Sequence, residues 1–282
     1  MAPLTDSHVH SEWSWDAQQG SMERTCERAI ELGLPAVAFT EHVDRTRWTL
    51  LPGELDDPQQ LEPYLAPDGA SMTPPPLDVD GYLASIERCR DRFPDLRILS
   101  GAELGEPHLH EPFVTKLLGA GEFDRVLGSL HCLPVGDDQY AEPPGLFRRR
   151  AAAEVVRDYL TELPRLIQGF DAFAVLAHID YPTRYWPTTA GPFDPAAFEE
   201  EFRHALRALA DSGRALEVNT RNAPYPAIVR WWRDEGGEAV TFGSDAHEPT
   251  ALAQSFTEAA AMVEAIGFRP GRHPWDFWVR TG

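Results

Sequence analysis

The sequence predicts one α/β barrel whose functional site lies at the C-terminal ends of its strands. Three observations predict it. Short apolar runs alternate with longer amphipathic stretches along the whole chain, giving seven strand–helix repeats with no composition break. The 282 residues, 43% hydrophobic and 25% charged, suit a soluble globular protein and reach the size of a single-domain barrel. Nearly every predicted strand ends in one or two His, Asp or Glu residues. An open doubly wound sheet is the competing architecture that periodicity alone leaves open.

The first apolar run is Leu4 to Val9. Ser21 to Leu32 follows as a helix, because Met22, Cys26, Ala29 and Ile30 recur at helical spacing; Ser21 serves as N-cap and Gly33 as the stop. Pro35 to Thr40 is the second strand. A Pro- and acid-rich stretch at about 44–79, containing Pro74-Pro75-Pro76, then interrupts the alternation. A connection of that length inside a compact domain reads as a functional loop or lid. The alternation resumes with helix at Asp80–Arg92, strand at Arg97–Leu104, helix at Pro112–Ala120 and strand at Arg125–Leu130. After a loop through Pro143-Pro144 come helix Arg149–Gln168, strand Ala172–Ala177 and helix Pro195–Ser212. Strand Ala215–Val218, helix Pro226–Glu235, strand Ala239–Phe242 and helix Thr250–Ile266 complete the series. No internal repeat or low-complexity linker divides it, so residues 1–282 are expected to form one domain.

Charge and cysteine usage narrow the function. A formal net charge of −20 argues against long nucleic acid and against an anionic membrane surface as partner. An acidic protein still binds a small anion where metal ions or a few arginines reverse the local field. Cys26, Cys89 and Cys132 form no CxxC and cannot all pair, which fits a reducing cytoplasm. The N-terminus has no basic segment followed by an apolar one, and no apolar run is long enough to span a bilayer. A cytoplasmic protein is expected. Nothing in the chain speaks to its oligomeric state.

The chemistry lies in the strand ends. The first strand ends Asp6-Ser7-His8-Val9-His10, and the second ends Thr40-Glu41-His42. Later ones end in Glu103, Ser129-Leu130-His131, His178-Ile179-Asp180, Glu217-Val218-Asn219 and Ser244-Asp245-Ala246-His247. In an extended chain residues i and i+2 share a face, so His8 and His10 point together, as do Asp245 and His247. Parallel strands of a barrel open onto one face, where these groups converge. A lone histidine there is ordinarily a core or surface residue, but six of the ten histidines occupy such ends. Crowded imidazoles and carboxylates are costly to bury unless divalent cations pair them.

The ordered motifs Asp6-x-His8-x-His10, Thr40-Glu41-His42, Gly101-x-Glu103, Ser129-x-His131, His178-x-Asp180 and Ser244-Asp245-x-His247 resemble those of the PHP (polymerase and histidinol phosphatase) superfamily. That resemblance implies a distorted (β/α)7 TIM-like barrel and three divalent metal ions. His8, His10, Glu103 and Asp245 would hold the first. His131 and His178 would hold the second, with Glu103 bridging. His42, His247 and Asp16 would hold the third, Asp16 standing where many members have His. Mixed nitrogen and oxygen ligands suit Zn, Mn or Fe. The segment His178-Ile179-Asp180-Tyr181-Pro182-Thr183-Arg184-Tyr185 resembles the histidinol-phosphatase branch, implying that Arg184 contacts phosphate. Glu217-Val218-Asn219-Thr220 resembles the same branch, although the loop beyond it is shortened and the following Arg221 is displaced. Arg221 is a second phosphate candidate, because guanidinium matches phosphate geometry. Asp6 would orient a His ligand from behind, and Asp180 is expected to do the same, while either Asp180 or a metal-bound water would protonate the leaving group. A small phosphorylated metabolite is the expected substrate, with L-histidinol phosphate the specific expectation.

Other classes are weighed on residues. An amidohydrolase-type C–N hydrolase also opens on HxH, but the only lysine, Lys116, falls in a predicted helix, away from a bridging position. A non-catalytic metal-binding module would lack ligands that are here complete but for the His-to-Asp change. A nuclease or cyclic-nucleotide phosphodiesterase of the same superfamily meets the low basic content only for small substrates.

Overall fold

The computed structural model describes residues 4–51, 62–136 and 138–281. The first part of the chain gives β1 (Asp6–Val9), α1 (Met22–Glu31), β2 (Ala36–Val43), β3 (Trp48–Thr49) and β4 (Ser71–Met72). The middle gives α2 (Val79–Arg92), β5 (Arg97–Gly105), α3 (Glu111–Leu118), β6 (Arg125–Ser129), β7 (Leu133–Gly136) and β8 (Gln139–Ala141). Then come α4 (Pro143–Phe147), α5 (Ala152–Gly169), β9 (Val175–Leu176), α6 (Glu199–Asp211) and β10 (Ala215–Asn219). Last are α7 (Pro226–Asp234), β11 (Ala239–Gly243), α8 (Phe256–Ile266), β12 (Phe268–Arg269) and β13 (Trp278–Arg280).

Nine strands form one sheet in the order β1-β2-β5-β6-β9-β10-β11-β13-β12. Strands β1 through β11 of that order pair in parallel, and β13 and β12 extend the far edge antiparallel. The sheet curls until β1 meets the chain just beyond β11. His10 N–H donates to Ala246 O and Asp245 N–H donates to His8 O, each at 2.8 Å. The expected α/β alternation with parallel strands is therefore present.

Local sequence explains the elements. Ser21 caps α1 by accepting Arg24 N–H, and Gly33 follows the helix at φ 68°, a conformation costly for residues with a Cβ. Helix α5 buries Val155, Val156, Tyr159, Leu160, Leu163, Leu166 and Ile167, a stripe at helical spacing. Leu127, Val175, Ala177 and Ala215 form a small cluster on β6, β10 and the β9 segment. Leu127 shares a face with Ser129, so this plug packs against the floor of the site. The three cysteines are buried, and none forms a disulfide among the described residues.

Several details depart from the sequence reading. The helix expected at Arg149–Gln168 begins at Ala152, with α4 preceding it. The strand expected at Ala172–Ala177 is regular only over Val175–Leu176, because the chain turns away at His178, whose φ is 20°. The 44–79 stretch is partly structured: β3 and β4 join β8 and β7 in a second, four-stranded sheet ordered β4-β3-β8-β7. Residues 52–61 of that expected lid lie outside the described residues. Strands β12 and β13, too short to show a period, were not anticipated. Among the described residues no helix is long and apolar enough to cross a membrane.

Candidate active site

Five strand-end histidines meet around one carboxylate. Glu103, fully buried near the end of β5, sets Oε2 at 3.2 Å from His8 Nε2, 3.3 Å from His10 Nε2 and 3.1 Å from His42 Nδ1. Its Oε1 lies 3.2 Å from His131 Nε2 and 2.8 Å from His178 Nε2, and accepts Ser129 Oγ–H at 2.6 Å. Asp245 Oδ1 is 3.4 Å from His10 Nε2 and 3.8 Å from His8 Nε2. Asp16 Oδ2 lies 3.2 Å from His247 Nε2 and 3.4 Å from His42 Nε2. Every residue named above as a metal ligand is thus brought together.

Four groups place their ligand atoms within 4.8 Å of one another: His8, His10 and Asp245; His8, Glu103 and His178; His42, Glu103 and His131; His10, His42 and His247. The groups share members, so they form one continuous cluster. Asp245 sits at φ 54°, a left-handed conformation that costs energy for a residue with a Cβ; such strain gathers at functional sites. The donated Asp245 N–H holds that turn. A Cβ on the neighbouring Gly243 would overlap Glu217 Oε1 and His8 Cβ, which explains a glycine at the end of β11.

The chemistry of these donors fits divalent cations. Glu217 Oε1 accepts from His8 Nδ1 at 2.7 Å, so a neutral His8 ring turns the Nε2 lone pair toward Glu103 Oε2. Two acceptors 3.2 Å apart repel unless a proton or a cation lies between them. Burial favours a neutral His8 ring, yet Glu217, Glu103 and Asp245 outweigh it and hold its pKa well above the ordinary imidazole range. His10 differs: burial, reinforced by His42 and His247, pushes it down to about 4. Burial would raise Glu103 and Asp245, but the surrounding imidazoles, and Arg184 at Asp245, hold both well below the usual carboxylate range. Glu103 Oε2, His42 Nδ1 and His178 Nδ1 are buried without a hydrogen-bond partner. Ionised oxygens and unpartnered ring nitrogens in one dry cluster are what a hard-to-borderline cation requires.

Two arginines flank Asp245. Arg184, in the short turn Tyr181–Tyr185, places Nη2 2.5 Å from Asp245 Oδ2 and is largely buried. Arg221 places Nη1 3.4 Å from Asp245 Oδ1 and is 43% exposed. A cavity of about 390 Å³ opens beside Arg221 and Asp245, lined also by Asp16, Gln18, His247 and Glu248 among others, and its size suits a small metabolite.

Asp6 and Asp180 are close by but are bonded differently from the sequence expectation. Asp6 touches no imidazole; it accepts backbone N–H groups from Ser244 and Ala253 at 2.9 Å and from His8 at 3.4 Å. It therefore pins main chain to main chain. Asp180 makes no side-chain bond to a histidine among the described contacts; burial pushes its carboxyl up to about 6 despite the nearby Arg184.

The sequence reading missed the carboxylates behind the rings. Glu217 supports His8, and its Oε2 accepts His178 N–H at 2.8 Å. Asp44 lies 3.4 Å from His131 Nδ1 and 3.5 Å from His42 Nδ1, and accepts Trp15 Nε1–H at 2.9 Å. Glu106, at φ 44°, receives His131 N–H and Cys132 N–H. Asp44 follows His42 by two residues, a spacing that could have flagged it.

Residues 6–221 match the PHP domain family. The chain is 27% identical to the histidinol-phosphatase of Lactococcus lactis over 93% of its own length and 91% of that protein's. It is 27% identical to a probable histidinol-phosphatase of Deinococcus radiodurans, covering 95% and 96% of the two chains. The crystal structure of histidinol phosphate phosphatase from L. lactis, complexed with zinc, L-histidinol and phosphate, superposes with a TM-score of 0.76 at 25% identity, covering 94% of each chain. A putative histidinol phosphatase from Listeria monocytogenes shares the fold, with a TM-score of 0.67 at 19% identity over 90% of this chain and 99% of that one.

Proposed function

The chain belongs to the PHP domain family, and from that membership we propose that it is a metal-dependent phosphatase converting L-histidinol phosphate to L-histidinol and orthophosphate. The observation that carries the reading is the convergence of six histidines, Asp16 and Asp245 around Glu103, with Arg184 and Arg221 beside Asp245. The substrate is supported by the histidinol-phosphatase relatives, which match over nearly the whole chain.

Three divalent ions, of Zn, Mn or Fe, would be held as follows. His8, His10, Glu103 and Asp245 would take the first; Glu103, His131 and His178 the second; Asp16, His42 and His247 the third. When bound, such ions supply an acidified water and positive charge for the phosphoryl oxygens. Arg184 and Arg221 would bind the non-bridging oxygens through paired N–H groups. Asp180, whose carboxyl burial pushes up to about 6, would protonate the departing alkoxide oxygen. Asp6, through Ser244 N–H, would keep the Asp245 turn in place. The curled sheet is then a distorted (β/α)7 barrel, with residues 1–282 as one domain. The enzyme would act in the cytoplasm on a small metabolite, independently of membranes or long nucleic acid.

Phosphate release from histidinol phosphate, with Mn or Zn supplied, tests the reading directly. Robust turnover is expected, with metal content of about three ions per chain. Activity confined to phosphodiesters or amides would reject the assignment, and one ion or none by elemental analysis would reject the trinuclear arrangement. Asp16→Ala should weaken the third ion alone, giving an activity loss that added metal partly restores. If that variant keeps all its metal, Asp16 is an ordinary loop carboxylate.

A further inference from the structure

The Thr40-Glu41-His42 segment contributes His42 to the cluster, and its middle residue has so far no part. Glu41 is fully buried. Its Oε2 accepts Ser11 N–H at 3.0 Å and Ser14 Oγ–H at 2.6 Å, and its Oε1 accepts Ser11 Oγ–H at 2.5 Å. Ser14 Oγ has two further neighbours, His42 N and His10 Nδ1, each at 3.0 Å.

With Glu41 ionised, proton accounting at Ser14 selects one tautomer of His10. A hydroxyl carries one proton and two lone pairs. A carboxylate oxygen only accepts, so the Ser14 proton points to Glu41. A backbone N–H only donates, so His42 N–H takes one lone pair. The second lone pair must then meet a donor, and the atom facing it is His10 Nδ1. A neutral imidazole with hydrogen on Nδ1 has a bare Nε2. That Nε2 looks onto Glu103 Oε2 at 3.3 Å and Asp245 Oδ1 at 3.4 Å.

We propose that Glu41, acting through Ser14, is a positioning residue that fixes His10 as the Nδ1–H tautomer and so keeps Nε2 open as a metal ligand. It deepens, and rests on, the metal-site reading above. Glu217 does the same for His8 by direct contact, so neighbouring ligands of one strand are set by two separate devices. The β2 segment thus has two duties: His42 faces the cluster, while Glu41 governs the ring next to it.

The decisive measurement needs no substitution. Two-bond 1H–15N correlation spectra of metal-free protein with 15N-labelled histidine distinguish the tautomers. Hydrogen on Nδ1 of His10 is expected; hydrogen on Nε2 overturns the proposal. Ser14→Ala should shift the His10 signal toward the other tautomer and weaken zinc binding about 10- to 100-fold in chelator competition, the usual loss when an outer partner of a ligand is removed. Ser11→Ala, which removes a different donor to the same carboxylate, should leave zinc affinity near the wild-type value. Equal weakening by both variants, with the His10 tautomer unchanged, would show a merely structural role and overturn the proposal. Wild-type protein that binds no zinc would instead reject the metal-site reading, while the His10 spectrum still decides the tautomer.

Discussion

Glu103→Ala is expected to lower phosphate release by more than about three orders of magnitude, near the 4 kcal/mol end of losses for a preorganised charge stabiliser. Its two oxygens stand 2.8 to 3.3 Å from five imidazoles, His8, His10, His42, His131 and His178. Removing it strips the carboxylate proposed to serve both of the first two ions. It also leaves buried imidazoles facing one another without their counter-charge. Circular dichroism on the variant would establish that the fold persists, and elemental analysis would show metal content falling with activity. A folded variant within tenfold of wild-type turnover, its metals intact, would remove Glu103 from the centre of the mechanism.

Arg184→Ala is the second large effect, with an expected cost of about 2–4 kcal/mol in kcat/KM, or roughly 30- to 1000-fold. The guanidinium lies 5.1 Å over the Tyr181 ring, and its pairing with Asp245 overcomes burial and keeps it fully protonated. Arg184→Lys should recover only part of the loss, since an ammonium offers charge without the planar fork. The loss should appear with every phosphomonoester tested and leave metal content unchanged. Metal lost together with activity would mean that Arg184 works by holding Asp245. Arg221, more exposed and 3.4 Å from Asp245, should matter less.

Much of this site can be read from strand periodicity. His8 and His10 lie two apart at the end of β1 and share a face, and parallel order sends the strand ends to one mouth; Asp245 and His247 follow β11, where the left-handed Asp245 breaks the extended period. Periodicity names the face but not the partner. That is why Glu217, Asp44 and Glu41 receive no role from the sequence: each lies at a strand end like Glu103, and only three dimensions show which ring or hydroxyl it touches. Asp6 illustrates the converse. Its position was legible, yet its three bonds go to backbone donors, two of them on a loop far along the chain. The rim sheet escapes because β3 and β4 have two residues each, too few for a period, and β3 pairs with β8 across a long stretch of sequence.

The seam where the curled sheet meets itself has a consequence for the life of the chain. Asp6 and Ser244 are bonded across 238 positions, and His8 and His10 are tied to Asp245 and Ala246. During synthesis the first ligands emerge long before their last partners, so the nascent chain carries half a metal site that nothing completes. Closing so distant a contact must be paid in chain entropy before its bonds repay it. An ion gripped only by the closed form draws that closure forward by mass action, more strongly as free metal rises. Metal starvation would therefore lower the share of closed, protease-resistant protein as well as the rate of catalysis.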